Sequence, residues 1–71
     1  MTEEQEIECH LGEWLEARGL TLAALSEMVG VSVVNLSVLK NNHAKAIRFS
    51  TLQAICQALE CEPGDLLTIR K

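Results

Sequence analysis

Aromatic side chains, long apolar runs and paired cysteines are scarce or missing in this chain, and each shortage excludes a class of protein. Only 3% of the 71 residues are aromatic, namely Trp14 and Phe49, too few for a stacking platform that binds single-stranded nucleic acid. No stretch reaches the roughly 18 apolar residues that span a membrane, so no membrane partner is expected. The three cysteines are an odd number without framework spacing, which argues against a disulfide-bonded fold.

The length and the N-terminal sequence predict one small cytoplasmic domain. A chain of 71 residues buries only about 60% of the surface that its unfolded form exposes, so residues 1–71 are expected to form a single domain with a thin core. The 48% of apolar residues predict a folded core rather than disorder. The acidic segment MTEEQEIE differs from a secretory signal, and the odd cysteine count is typical of a reducing compartment.

Negative charge is absent from the middle of the chain. The net charge of −4 argues at first sight against a nucleic-acid partner. Residues 28–59, however, contain no Asp or Glu and carry Lys40, Lys45 and Arg48. Two interpretations are open: a surface kept free of carboxylates because a polyanion binds there, or chance combined with a partly buried middle.

Hydrophobic spacing and capping residues predict three short helices in the first part of the chain. Gly19 is a C-cap for the first helix, and Thr21 is an N-cap for the second. Gly30 closes the second helix with a positive φ, and Ser32 caps the third. The short connection forces a sharp angle between these two helices and predicts a helix-turn-helix. The shared core of the pair would be Leu25, Val29, Val31, Leu36 and Leu39.

Two more helices complete the expected fold, a compact all-α bundle of five short helices. The third helix ends at Asn41-Asn42-His43, because asparagine tolerates the left-handed conformation. Ser50 and Gln53 form a capping box that predicts the start of the fourth helix at Ser50. Pro63 occupies the first position of a short fifth helix.

The two ends of the chain alternate polar and apolar residues, which is typical of short strands. The segments EIECHL and LTIR are expected to pair as an antiparallel ribbon, although the first helix could instead begin near Glu4. A two-stranded ribbon is marginal alone, so it needs helices beneath it or a partner chain. Its inward-facing residues would be Ile7, Cys9 and Ile69.

The helix-turn-helix and its flanking segments resemble a known family. The residues that carry the resemblance are TLAALSEMVGVSVVNLSVLKNN and AIRFSTLQAICQALECEPGDLL. Across residues 11–67 the sequence resembles the lambda-repressor-like, Cro-like helix-turn-helix domains of the XRE family. The resemblance implies a transcriptional regulator that binds double-stranded DNA in the major groove, usually as a homodimer.

The resemblance also implies roles for individual residues. The third helix, about residues 32–41, would be the recognition helix. Its residues facing base edges would be Ser32, Val33, Val34, Asn35, Ser37 and Val38. Thr21 would offer its backbone N–H to a phosphate at the start of the second helix. The DNA backbone beyond the third helix would be held by Lys40, Asn41, Asn42, Lys45 and Arg48.

The valines of the third helix depart from the family pattern. Val33 and Val34 stand where such proteins commonly carry polar residues, and valine can only touch a thymine methyl. Asn35 and Ser37 remain as hydrogen-bonding candidates in the middle of the helix. We therefore expect weak direct readout, and a dimer that doubles the roughly three phosphate contacts of one chain.

The same valines allow an alternative interpretation. An exposed apolar strip of Val33, Val34 and Val38 could dock another protein, in an interaction module that keeps the helix-turn-helix fold. The acidic net charge is compatible with this alternative.

Catalytic and metal-binding patterns are missing from the sequence. It contains no Ser/His/Asp arrangement, Gly-rich phosphate loop or HExxH, so we expect neither an enzyme nor a small-molecule substrate. Cys56 and Cys61 with His10 or His43 match zinc-site spacing poorly, so no metal and no cofactor are expected. Cys56 belongs to the apolar stripe of the fourth helix and is expected in the core, whereas Cys9 is expected half-buried and Cys61 exposed.

Overall fold

The structure, a computed structural model, describes residues 6–70. Its elements are β1 (Ile7–Cys9), α1 (Leu11–Arg18), α2 (Leu22–Val29), α3 (Val33–Lys40), α4 (Phe49–Leu59), α5 (Pro63–Leu66) and β2 (Leu67–Ile69). The predicted bundle of five short helices with a ribbon of N- and C-terminal strands is confirmed. Within the described range no single helix is long and apolar enough to cross a membrane; α2 and α3 together are, but they are bent by 117°.

The predicted helix caps form in the first half of the chain. Gly19 ends α1 with φ +67°, and Gly30 ends α2 with φ +74°. The hydroxyl of Thr21 accepts from the backbone N–H three residues on, at 3.0 Å. The hydroxyl of Ser32 does the same at the start of α3, at 3.1 Å. Local sequence therefore fixes both ends of α2 and the start of α3.

Ser26 holds the turn between α2 and α3. Its hydroxyl donates to the backbone oxygen of Val31 at 2.6 Å, and its own backbone oxygen accepts from the N–H of Gly30 at 2.9 Å. These two bonds link the last turn of α2 to the residues that lead into α3. A serine is thus needed here for its hydroxyl as well as for its small size.

The core lies where all five helices meet. Its buried residues are Leu11, Leu15, Leu25, Leu36, Leu39, Ile55, Cys56, Leu59 and Leu66. Val29 and Val31 are half-buried and pack against this cluster. Because α3 contributes Leu36 and Leu39 to the core, its remaining faces are open to solvent.

The ribbon forms as predicted, but Ile7 and Ile69, which were expected to face inward, are exposed. Cys9 pairs with Leu67 and Ile7 with Ile69 in an antiparallel register. Cys9 and Leu67 are half-buried against the core, whereas Ile7 is 42% exposed and Ile69 61% exposed. Directly paired residues share one face of a ribbon. The outer pair lies two residues further along each strand, where the helical core no longer covers it.

Backbone hydrogen bonds join the ribbon to the helices. The N–H of Cys9 donates to the side-chain oxygen of Asn42 at 2.6 Å, and the N–H of His10 donates to the backbone oxygen of Leu66 at 2.8 Å. Asn42 has φ +62°, so the predicted left-handed asparagine follows α3. Nε2 of His10 lies 2.7 Å from the hydroxyl of Thr68. The ribbon is therefore attached to the end of α3 and to α5.

The predicted N-cap of α4, Ser50, is wrong by two residues, and the predicted capping box is absent. The helix begins at Phe49, and Arg48 is the N-cap with φ −74° and ψ 144° and no side-chain cap bond. The N–H of Leu52 donates to the backbone oxygen of Arg48 at 2.9 Å. Ile47 packs against the core immediately before this point. Its burial positions the chain so that the helix starts directly after Arg48.

The hydroxyl of Ser26 is expected to contribute measurably to stability. Ser26→Ala leaves the backbone oxygen of Val31 without its donor and should lower the free energy of unfolding by about 1–2 kcal/mol. Ser50→Ala is the matched control, since it makes the same chemical change in the first turn of α4 and should stay within about 0.5 kcal/mol. Urea unfolding followed by circular dichroism measures both. Equal effects of the two variants would contradict the role given to Ser26.

Candidate nucleic-acid interface

The exposed side of α3 is centred on Val34. Successive residues of an α-helix are about 100° apart around its axis, so Val34 lies opposite the buried Leu36 and Leu39. Val34 is 71% exposed, and Val33 and Val38 are exposed by 43% and 38% on either side of it. The outward surface of α3 is therefore largely apolar.

A concave surface of about 610 Å³ lies along one flank of α3, between that helix and the loop 43–48. Of the predicted site residues it brings together Ser32, Asn35, Val38, Lys45 and Arg48. None of the described residues that line it is an Asp or a Glu. Two cations and the polar start of α3 thus share one surface without a carboxylate.

Lys40 lies on the opposite flank of α3. It lines a separate depression together with Thr21, Gly12 and Glu16. Its side chain packs along α1, since a Cβ added at Gly12 would come within 3.2 Å of Cε of Lys40. The three cations that the sequence analysis grouped together are therefore divided between the two flanks of α3, with the start of α2 beside Lys40.

The polar side chains of α3 differ in how far they are already bonded. The side chain of Asn41 donates to the hydroxyl of Ser37 at 3.3 Å, and the side-chain oxygen of Asn42 is bonded to β1. Asn35 is exposed, and its side chain has no hydrogen-bond partner among the described residues, while its backbone N–H donates to the hydroxyl of Ser32. Asn35 thus carries the one asparagine side chain on α3 whose donors and acceptor are open.

Two polar residues that line the concave surface were not predicted from the sequence to bind DNA. His43 and Thr51 line it beside Lys45 and Arg48. Thr51 was missed because no pattern in the sequence places the first turn of the fourth helix next to the loop 43–48. With Arg48 as the N-cap, Thr51 belongs to the first turn of α4 and lies next to the loop.

Comparison with known proteins identifies the family of this chain. Residues 10–71 match the family model of the Cro/C1-type HTH DNA-binding domain. The chain belongs to this Cro/C1-type family. It is 59% identical over 56 residues, 79% of this chain and 67% of the relative, to the uncharacterized HTH-type transcriptional regulator YozG of Bacillus subtilis (strain 168). It is also similar to the crystal structure of the transcriptional regulator VanUg, Form II, with a TM-score of 0.70, 28% identity, and coverage of 96% of this chain and 92% of that chain.

Membership of the Cro/C1-type family confirms three predictions from the sequence. The resemblance, the five-helix fold and DNA binding through a helix-turn-helix all hold. The chain is a DNA-binding transcriptional regulator and not an enzyme. The family thereby favours DNA binding over an interaction module that only keeps the fold.

The cysteines of this Cro/C1-type domain are shielded. Cys56 is buried as predicted and Cys9 is half-buried as predicted, but Cys61 is half-buried rather than exposed. Burial, with a smaller contribution from the neighbouring Cys56, raises the pKa of the Cys61 thiol to about 11. Because the thiolate is the reactive form, these groups are neutral and unreactive near pH 7. No three His, Cys, Asp or Glu residues of the described part of the chain are grouped so as to hold a metal ion.

The raised pKa of Cys61 predicts a loss of stability in alkali. The folded protein keeps the thiol proton up to a pKa of about 11, whereas the ordinary value is 9.0. The unfolded chain therefore loses this proton first as the pH rises above about 9, and the stabilisation by the neutral thiol falls between pH 9 and 11. Urea unfolding across this range should show a shallower decline for Cys61→Val than for the natural protein. An unchanged decline would contradict this assignment.

Proposed function

We propose that α3 is the recognition helix of this regulator and that it enters the major groove of its operator. A helix with side chains about 10–12 Å across fits a groove about 12 Å wide. The observation that carries the proposal is the exposed face of α3 beside a concave, carboxylate-free surface that holds Lys45 and Arg48. In this proposal the whole chain, residues 1–71, acts as one cytoplasmic DNA-binding domain.

The residues that meet the bases lie at the start and on the outside of α3. They are Ser32, Val33, Val34, Asn35, Ser37 and Val38. Ser32 keeps its hydroxyl proton for donation while its oxygen caps the helix. Leu36 and Leu39 hold the helix on the core, so base contacts need no rearrangement of the fold.

The phosphate contacts are divided between the two flanks of α3. Lys45 and Arg48 lie on one side, with the uncapped N-terminus of α4. Lys40 lies on the other side, with the N-terminus of α2 at Thr21. The two walls of a major groove are the phosphate backbones of the two DNA strands. One strand would meet Lys45, Arg48 and the N-terminus of α4, and the other would meet Lys40 and the N-terminus of α2.

Asn41 and Asn42 are proposed to assist at the end of α3. Asn41 is exposed next to Lys40, and its side-chain N–H donates to the hydroxyl of Ser37. Asn42 is exposed and still has its side-chain N–H groups to donate, although its oxygen is bonded to β1. A mutation of Asn42 would therefore alter both the ribbon and any phosphate contact.

A homodimer is proposed because a single chain has few cations near α3. Neutralising about three phosphates gives a weak, strongly salt-dependent interaction, and a second copy doubles the number. The edge of β2 and the exposed Ile7–Ile69 pair are the proposed contact. Next to this pair, a mainly apolar groove of about 330 Å³ runs between the ribbon and the loop that ends in Arg48. The groove reaches Asn42 and Lys45 at its other end, so the second copy is proposed to sit on the Ile7–Ile69 pair and leave these two residues and the exposed face of α3 free.

Removing the cations of the concave surface should weaken binding to every duplex. In a dimer, about six phosphate contacts predict a slope near −5 for log affinity against log salt. Lys45→Gln with Arg48→Gln removes four of these contacts and should bring the slope to about −2. Fluorescence anisotropy with duplexes selected from a random pool, at a series of salt concentrations, measures the slope.

Arg70→Gln is the control for this experiment. Arg70 follows β2 and pairs with Glu8 at 3.2 Å, so its removal takes away one positive charge without changing the surroundings of α3. Because Arg70 is next to Ile69, analytical ultracentrifugation first checks that this variant dimerises like the natural protein. The control should keep the slope of the natural protein. If the double variant also keeps that slope, Lys45 and Arg48 do not contact phosphates.

Ile69→Lys should separate the proposed dimer. Each protomer would bury one Ile69 at the contact, and the loss of two such side chains at about 1.5 kcal/mol each weakens association about a hundredfold. Met28→Lys makes a similar change on an exposed apolar residue of α2 and should leave association unchanged. Analytical ultracentrifugation distinguishes the two variants. A natural protein that stays monomeric at high micromolar concentration would contradict the dimer.

A further inference from the structure

The exposed face of α3 offers little hydrogen bonding to DNA bases. Val34 lies at its centre with the exposed Val33 and Val38 on either side, and Ser37 is already bonded to Asn41. Asn35, about 100° round the helix from Val34, is the residue of α3 with an open side-chain amide. An apolar surface with one amide beside it can recognise only a narrow set of base-pair edges.

The thymine methyl is the apolar group that a base pair presents in the major groove. Guanine and cytosine present only acceptors and a donor there, which a valine would leave without partners. We propose that Val34, with Val33 and Val38 on either side, selects thymine methyl groups, and that Asn35 reads an adenine next to them. The centre of each half-site is then made of A·T pairs. This inference rests on the proposed docking of α3 in the major groove.

The position of Asn35 supports a combined readout. It follows Val34 in the helix and points about 100° further round, towards Lys45 and Arg48. An asparagine side chain can bind N6 and N7 of adenine with two hydrogen bonds. Because Asn35 and Val34 are adjacent, a methyl contact and an adenine contact fall on the same or neighbouring base pairs.

Valine suits this contact because its side chain is stiff. A β-branched residue in a helix has one strongly preferred rotamer, so it loses little freedom when a methyl group packs against it. The flanking cations favour DNA over an apolar protein as the partner of this strip, since Lys40, Lys45 and Arg48 border it on both sides.

Replacing thymine by uracil tests the inference, because it removes only the methyl group. Short duplexes of alternating A·T pairs should bind more tightly than the same duplexes made with A·U pairs, by about fourfold for each methyl contacted. Duplexes of G·C pairs should bind less tightly than the A·T duplex. Replacing their cytosine by 5-methylcytosine should raise the affinity, since the methyl returns to the groove.

The variants assign the discrimination to residues. Val34→Ala should lower the ratio of the A·T to the A·U affinity by about fourfold for each half-site, because its shorter side chain withdraws from the methyl while Val33 and Val38 keep theirs. Met28→Ala, a slightly larger truncation on α2, should leave the discrimination unchanged. Replacing adenine by 7-deazaadenine should weaken binding about fivefold through loss of one hydrogen bond, and Asn35→Ala should abolish that difference.

The outcomes separate this inference from the function on which it rests. Equal binding of A·T and A·U duplexes, with the salt dependence described above intact, overturns the methyl readout and leaves α3 as a DNA-binding helix. Absence of binding to any of these duplexes overturns the proposed docking of α3 itself. A discrimination that is as large in Val34→Ala as in the natural protein assigns the methyl contacts to other residues and also overturns the inference.

Discussion

The fixed angle between α2 and α3 is the constraint on which the rest of the molecule depends. Ser26 bonds both to Gly30 and to Val31, and Gly30 takes the positive φ that lets the chain reverse direction. This turn places Leu36 and Leu39 in the core, which leaves Val34 at the outer surface. Leu36 and Leu39 are two of the nine buried core residues in the described part of the chain, so the turn and the core together set the orientation of α3.

An acidic protein can bind DNA when its charges are divided among separate surfaces. Within residues 6–70 the carboxylates belong to the ribbon, α1, α2 and the region around α5, and none of them lines the concave surface beside α3. At physiological salt, exposed charges further apart than about 8 Å are largely screened from one another. A phosphate held by Lys45 and Arg48 therefore responds to that local surface more than to the net charge of −4.

Local features of the fold were predictable from the sequence, and distances across the fold were not. Thr21, Ser32 and Gly30 act through neighbours within a few residues, so their caps could be predicted from sequence alone. The exposure of Ile69 depends on how far the ribbon extends beyond the helices, which no local pattern specifies. Likewise, Lys40 and Lys45 are five residues apart in sequence, but the intervening end of α3 places them on opposite flanks of the helix. The start of α4 was misplaced because the burial of Ile47 outweighs the capping preference of Ser50.

The chemistry of the α3 face determines how affinity and specificity must be divided in this domain. Valines facing methyl groups discriminate by about 0.8 kcal/mol each, less than the roughly 1–3 kcal/mol that a good bidentate pair contributes, so roughly three of them cannot supply a specific operator alone. Affinity then has to come from phosphates, and one protomer offers few cations near the groove. A second copy doubles the number of methyl contacts and the number of phosphate contacts, because it binds a second half-site. The apolar recognition face and the exposed ribbon are therefore linked: the weaker the readout by one α3, the more binding depends on the surface that joins two.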